Sequence, residues 1–394
     1  MDKINKKNKI CLTMIVKNET HVLEKCFDSL YSFIDYFVIC DTGSNDGTQQ
    51  FIKEYFEKKQ IPGNVFDCSW VDFGYNRSEV FQKADLLKKK HLCNYYLVID
   101  ADDELKGSLN TFLYKEYDSA IQGFYLKILL ENTTSIEFKR IQLFNNLYTW
   151  QYKGVLHEYP ECLGNIESKI DEINDCFIVA GLTGARNNVS KIEKYQKDAA
   201  ILLESFGKTN DSRDCFYLAN SYYDAEDFKN AIVYYKKRTE MGGWEEEIYY
   251  CYYRYALCKY HLKDEENISE TDLYIYFLKA YFVRPIRLES LYFILSDCRK
   301  KENYHLGYSF GMFAKENLFE NTNDCLFVDV NIHKFNYIDE LAICAYYVGN
   351  YILSLELNNK LINMFEKKEI QIDLDRIIKN KSFSLEKLNN STWI

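Results

Sequence analysis

A chain of 394 residues with 3 prolines, 16 glycines, 47% hydrophobic and 27% charged residues is too long for one ordinary domain and too apolar for disorder. Its 34 tyrosines and 26 phenylalanines, with so little proline, exclude collagen-like, linker-rich and mucin-like chains and point to long unbroken helices around an aromatic core. A net charge of −10 excludes binding to nucleic acid mainly by phosphate neutralisation, while leaving room for a local basic pocket.

The 13 cysteines are scattered, odd in number and without a C-x-x-C pair. They read as buried free thiols of a reducing compartment, not as zinc ligands or a disulfide framework. Met1 to Lys9 is basic and polar, and the apolar run Ile10 to Val16 stops at Lys17-Asn18-Glu19, which makes it a strand and not a signal peptide. No window approaches the about eighteen apolar residues that a membrane span needs. A soluble, cytoplasmic protein is expected.

Ile10 to Val16 is followed by an amphipathic stretch, Thr20 to Phe33, with Val22, Leu23, Cys26, Phe27, Leu30 and Phe33 at helical spacings. Tyr36 to Cys40 is a second strand, ended by Asp41-Thr42-Gly43-Ser44-Asn45-Asp46-Gly47-Thr48, and a helix runs on to Glu57. A strand near Asn64 to Cys68, a helix from Asn76 to Lys90 and a strand from Tyr95 to Ile99 follow, the last ending in Asp100-Ala101-Asp102-Asp103-Glu104. Alternating strands and helices imply a mainly parallel sheet whose ligands bind at the carboxyl ends of its strands. Between Gln122 and Gly181 the pattern turns to hairpins: Phe124 to Leu130 and Ile136 to Phe144 around Asn132-Thr133-Thr134, then Trp150 to Tyr159 and Cys176 to Ala180. After Gly181-Leu182-Thr183-Gly184 the chain is helical, opening with Ile192, Tyr195, Ala199, Leu202 and Phe206 on one face. The fold class is therefore α/β followed by all-α, divided into residues 1–186 and 187–394.

The second half repeats. Leu218, Ala219, Tyr222, Ala231 and Tyr235 fall at the spacings of a tetratricopeptide unit. A second unit fits Tyr252, Tyr255, Ala256, Phe277, Ala280 and Pro285 with about five extra residues around Asp264 to Ser269. A third fits Leu291, Ile294, Leu295, Gly307 and Ala314, and a weaker fourth Leu341, Ala342, Gly349 and Ser354. Such hairpins bury their apolar faces only by stacking, which predicts a solenoid with a concave surface. Solenoids of this kind also allow a homodimer through residues 190 to 394.

Two carboxylates one residue apart, Asp100 and Asp102, at the mouth of a sheet can hold a divalent cation and a ribose hydroxyl, although a solvated acidic turn has the same pattern. The loop after the second strand ends that strand in a carboxylate, Asp41, and follows it with small residues that let a nucleotide approach the backbone; Asn45 or Asp46 also suits a helix cap. His157, in Gly154-Val155-Leu156-His157-Glu158-Tyr159, is the best placed of the 6 histidines, and an imidazole beside carboxylates suits manganese better than calcium.

With Val16-Lys17-Asn18-Glu19 after the first strand and Asn76-Arg77 opening a helix, the ordered set resembles family 2 glycosyltransferases of the GT-A fold, over about Ile10 to Tyr159. The helical repeats narrow the resemblance to glycosyltransferases with C-terminal tetratricopeptide repeats. It implies transfer of a sugar, with inversion and with Mn²⁺ or Mg²⁺, from a nucleoside-diphosphate sugar, UDP favoured, to a protein, peptide or glycan acceptor. It places Val16, Asn18 and Asp41 around the base or ribose, Arg77 at the base or diphosphate, Asp100 at the ribose and Asp102, with His157, on the metal. A metal aimed at the departing diphosphate stabilises the charge that develops there.

An inverting transferase needs a base, and here the sequence departs from the family, with no Glu-Asp pair in Trp150 to Glu161. Glu158 is the first choice; Glu161, Asp103 and Glu104 stand in reserve. His157 and Glu158 can share a site only if the strand ends or bulges there. Arg186, in Gly184-Ala185-Arg186-Asn187, is read as a basic lid on the diphosphate, and Trp150 and Tyr152 as acceptor-side aromatics or core. A catalytically silent domain in a tetratricopeptide scaffold is the alternative. A sugar nucleotidyltransferase is set aside because Val16-Lys17-Asn18-Glu19 lacks the glycine-rich loop that it wants.

Overall fold

The computed structural model describes residues 6–130, 136–164, 169–185, 190–314 and 324–391. The chain divides into two compact units, Met1–Glu226 and Asp227–Ile394. The expected boundary at residues 186 and 187, like the turn Asn132-Thr133-Thr134, lies outside the described residues. Among the described residues no helix is long and apolar enough to cross a membrane.

The first unit runs β1 (Ile10–Val16), α1 (Thr20–Leu30), β2 (Tyr36–Asp41), α2 (Thr48–Lys58), β3 (Gly63–Asp67), α3 (Phe73–Leu86), α4 (Lys88–His91) and β4 (Tyr95–Val98). It continues with β5 (Glu104–Gly107), α5 (Asn110–Tyr114), β6 (Gly123–Leu130), β7 (Ile136–Asn145), β8 (Trp150–Lys153), β9 (Tyr159–Cys162), β10 (Ile170–Ala180), α6 (Lys191–Thr209) and α7 (Ser212–Asp224). The sheet order is β3-β2-β1-β4-β7-β6-β10-β5, and β8 pairs with β9 apart from it. β3, β2, β1 and β4 are parallel neighbours, whereas β7 is antiparallel to β4 and β6, so the sheet is mixed and mainly parallel.

Alternation along β1 sorts its side chains. Ile10, Leu12, Met14 and Val16 join Leu23, Phe27, Ile52 and Phe56 of α1 and α2 in one core layer. Cys11 joins Val38, Cys40, Val80, Phe81, Ala84 and Tyr96 in the layer under α3. Covering both faces buries the sheet and leaves its strand ends as the accessible edge. The third helix starts at Phe73, three residues before the expected Asn76, because the Asp72 carboxylate caps it by accepting from Tyr75 N at 2.7 Å. β5 and α5 escaped the sequence reading: both are too short to show a period.

In the second unit α8 (Phe228–Glu240), α9 (Glu245–His261), α10 (Glu270–Val283), α11 (Glu289–Lys300), α12 (Tyr304–Phe313), α13 (Tyr337–Tyr347), α14 (Tyr351–Glu366) and α15 (Leu374–Ser391) form a helical solenoid. Part of the second, third and fourth repeats meets in one cluster, which holds Ala256, Phe277, Leu291, Ile294, Leu295, Ala314, Leu341 and Ala342. The extended turn expected near Asp264 to Ser269 lies between α9 and α10. Gly307 lets helices touch: a Cβ there would stand 3.1 Å from Cys298 Cβ and from Cys344 Sγ. Of the cysteines, Cys325 is exposed and Cys162 half-buried, and the others are buried free thiols.

Buried charge fastens the middle of this unit. Arg287, 1% exposed, donates from Nη2 to Glu289 Oε1 at 2.8 Å and from Nη1 to the Leu326 carbonyl at 3.0 Å. Glu246 accepts from Cys325 N and Leu326 N, each at 2.8 Å. Removing one partner of such a network strands the other without water. Arg287→Met is therefore expected to destabilise the protein by about 3–5 kcal/mol, read from urea unfolding.

Candidate functional site

β1, β2 and β4 run side by side and in parallel, so their carboxyl ends open on one edge, and Val16 stands opposite Asp41 in the ladder. Asp41 is 1% exposed. Its Oδ1 accepts from Gly43 N at 2.8 Å and Ser44 N at 2.7 Å, whereas its Oδ2 is buried without a hydrogen-bond partner. Asn18, at φ 59°, donates its N–H to Ser44 Oγ at 2.8 Å, and its side-chain oxygen accepts from Asn45 N at 2.8 Å. Val16 O accepts from Thr42 N at 2.9 Å. The two loops are thus sewn together around an unsatisfied carboxylate oxygen, a group that costs free energy until a donor reaches it.

Asp46 tightens the same loops. It accepts from Thr48 N at 3.0 Å, Thr48 Oγ1 at 2.6 Å and Thr20 Oγ1 at 2.9 Å. Loss of solvent works to raise its pKa, but these donors from Thr48 and Thr20 together outweigh it and lower the pKa to about 2.

Arg77 is the hub. Its neighbour Asn76, fully buried, ties the start of α3 down by accepting from Val71 N at 2.9 Å and donating to Ser69 O at 2.9 Å. From that anchor Arg77 Nε donates to Glu158 Oε1 at 2.6 Å, and Nη2 donates to Asp100 Oδ1. Reduced hydration works against ionising Asp100, but the Arg77 guanidinium holds its pKa below the ordinary carboxylate value. Asp103 is buried, and burial together with the charge of Asp100 pushes its pKa up to about 8. Burial also raises Glu19, with Asp102 and Asp100 adding to the effect.

The segment after β10 lies over these acids. Gly181 N donates to Asp103 Oδ1 at 3.1 Å, Gly184 N to Asp102 Oδ2 at 2.8 Å, and Ala185 N to Glu19 Oε2 at 3.1 Å. Arg186, the expected lid cation, lies outside the described residues. His157 and Glu158 are consecutive but diverge. They occupy the turn between β8 and β9, where His157 has φ 53°, so no regular strand constrains them. Glu158 turns to Arg77, whereas the His157 ring stacks on Tyr217 of α7 at 4.0 Å and its carbonyl accepts from Arg213 Nη2 at 3.1 Å.

The reserve carboxylates differ in setting. Glu161 pairs with Lys153 at 2.8 Å and Glu104 with Lys25 at 3.0 Å. Trp150 is core, 6% exposed and edge-on to Phe144 at 5.0 Å, whereas Tyr152 lines a cleft of about 280 Å³ with Arg77, Asp100, Arg140, Glu158, Tyr159 and Arg213.

Burial raises the pKa of Glu19 and of Asp103, and the charges of Asp100 and Asp102 add to the rise at each. Carboxylate oxygens are hard donors of the kind that Mg²⁺ and Mn²⁺ take. Among the described residues, Cys40, Cys68 and Glu79 form a group of three metal-capable side chains within 4.8 Å of one another, and neither Asp102 nor His157 belongs to such a group. Sequence reasoning left Glu19 out of the site although it closes Val16-Lys17-Asn18-Glu19, and it had no signal for Arg140 or Arg213, which enter the cleft from a strand and a helix far along the chain.

Residues 11–172 match the family model described as glycosyl transferase family 2. A TPR repeat-containing protein of Synechococcus elongatus is 27% identical over 153 residues, 38% of this chain and 34% of the relative, so the chain spans about a third of that relative's length. Among solved structures, S. aureus TarS is similar with TM-score 0.34 and 14% identity over 70% of this chain and 53% of that one. YrrB, a TPR protein, is similar with TM-score 0.30 and 12% identity over 52% of this chain and 88% of that one.

Two outcomes follow from the local geometry. A Cβ at Gly181 would stand 2.1 Å from the Asp102 carbonyl oxygen, so Gly181→Ala must displace backbone and is expected to destabilise the protein by about 1–3 kcal/mol in urea unfolding. Because the pKa of Asp46 is depressed in the folded state, its contribution is complete above the unfolded value of about 4 and is lost as pH falls towards about 2. The difference in melting temperature between wild type and Asp46→Asn should therefore shrink across that window.

Proposed function

We propose that the glycosyl transferase family 2 domain in residues 11–172 is an active, metal-dependent enzyme that transfers a sugar, with inversion, from a nucleoside-diphosphate sugar to a protein, peptide or glycan acceptor. The observation that carries this reading is the buried Asp41 Oδ2 without a hydrogen-bond partner beside a cluster of mutually repelling carboxylates: one asks for an N–H donor, the other for a cation. The imide N–H of uracil is a donor of that kind, which favours UDP. Val16 and Asn18 shape the base pocket, Asp100 takes the ribose, and Arg77 sets the position of Asp100.

Asp102 would hold Mn²⁺ or Mg²⁺, which supplies positive charge opposite the leaving diphosphate. The acceptor oxygen attacks the anomeric carbon from the face opposite the diphosphate. The new C–O bond forms as the bond to the phosphate oxygen breaks, and the hydroxyl proton passes to Glu158, which Arg77 fixes in the cleft wall. The helical solenoid presents or binds the acceptor and offers a surface for a homodimer. A silent domain in a scaffold is the second reading, and the engagement of both Asp100 and Glu158 by Arg77 favours it.

Calorimetry with UDP, with and without Mn²⁺, separates the two. An active domain is expected to bind UDP more tightly with Mn²⁺, and Asp102→Ala to lose about tenfold or more of that affinity. Transfer from UDP-, GDP- and dTDP-sugars is expected to collapse in Asp102→Ala and Glu158→Gln. Full activity in Asp102→Ala would remove the metal role, and absence of any nucleotide binding would support the scaffold.

A further inference from the structure

We propose that the cleft beyond Asp100 receives the acceptor, and that this acceptor is a saccharide carrying an anionic group, phosphate or carboxylate. The proposal rests on the transferase reading and deepens it. Asp100, Arg77 and Glu158 line the cleft, but Val16, Asn18, Asp41 and Asp102 do not. It therefore adjoins the donor side at Asp100 and extends away from it, with the carboxylate assigned to the acceptor proton in its wall.

Its charge runs against that of the chain. The protein carries a net −10, yet Arg77, Lys139, Arg140 and Arg213 line this cleft against Asp100 and Glu158. Arg77 is committed to those two acids, and Lys139 pairs with Glu172 at 2.7 Å. Arg140, exposed on β7, lies near enough to Asp100 and Asp103 to lower the pKa of each. Arg213 is held in place by the His157 carbonyl and by the Tyr159 and Tyr217 rings, each 4.9 Å away. Guanidinium forks match carboxylate and phosphate oxygens in pairs. Tyr152 and Tyr159 add flat rings against which the apolar face of a sugar packs. The cleft volume of about 280 Å³, just below the about 300–1,000 Å³ of drug-sized ligand sites, suits a single charged sugar unit.

The test titrates the full chain with glucose 6-phosphate, glucuronate and glucose, alone and with saturating UDP and Mn²⁺. The charged sugars are expected to bind at least tenfold more tightly than glucose, and to do so equally with UDP present. Arg140→Gln should reduce that preference about tenfold and leave UDP affinity unchanged. Arg213→Gln provides a second variant if melting shows that Arg140→Gln is misfolded. Equal affinity for charged and neutral sugars, or no binding of the charged sugars at millimolar concentration, overturns the proposal. So does competition by UDP, which would give the cleft to the donor's phosphates. Failure of UDP to bind counts against the transferase reading alone, because the preference for charged over neutral sugar is measured without it.

Discussion

A single guanidinium determines what the strand edge can be. Asp100 and Glu158 come from parts of the chain that share no local structure, one from the end of β4 and the other from the turn before β9, and Arg77 draws them into one wall. Without that charge both carboxylates would lose the cation that they share, and the wall would lose the bond that joins its two halves. Arg77 can serve because Asn76 beside it is fully buried and fastens the start of α3 to the preceding loop. The ion pair thus couples the main sheet to the β8-β9 hairpin, and the cleft exists because that hairpin is held there.

The acidic edge is balanced in layers. Side chains hold Asp100 ionised, backbone N–H groups of the segment after β10 cover Asp102, Asp103 and Glu19, and burial together with the remaining repulsion raises the pKa of Asp103. An acidic edge that is to take a cation, as proposed above, must be stable enough to fold empty and unbalanced enough to favour an ion. The neutral N–H donors achieve the first without supplying the full charge that would remove the second.

Much of this was legible in the sequence where chemistry and periodicity coincide. β1, β2 and β4 are buried on both faces and read as continuous apolar runs, and the polar clusters that end them could only lie at one edge once the strands were parallel. The helical hairpins showed through small and aromatic residues at fixed offsets, and Ala256, Phe277, Leu295 and Leu341 do meet in one core. Convergence across long separations was not legible. Nothing near Arg213 announces that a helix lying after the sheet sends its side chain to the His157 carbonyl, and nothing near Tyr217 announces its stacking on the His157 ring. The objection that His157 and Glu158 must point to opposite faces assumed a strand, whereas the chain turns there with His157 in the left-handed region.

The segment from Gly181 to Ala185 touches the acidic edge through main-chain atoms, and His21 Nε2 likewise meets a main-chain atom, the Thr183 carbonyl, at 2.9 Å. Contacts made by main-chain atoms are indifferent to most side chains. Apart from Gly181 and Gly184, whose missing Cβ atoms make room for Asp102, the identity of this stretch is free to drift while its hydrogen bonds persist. Information about the site is therefore unevenly written along the chain: dense at a few carboxylates, one arginine and two glycines, and nearly blank between them.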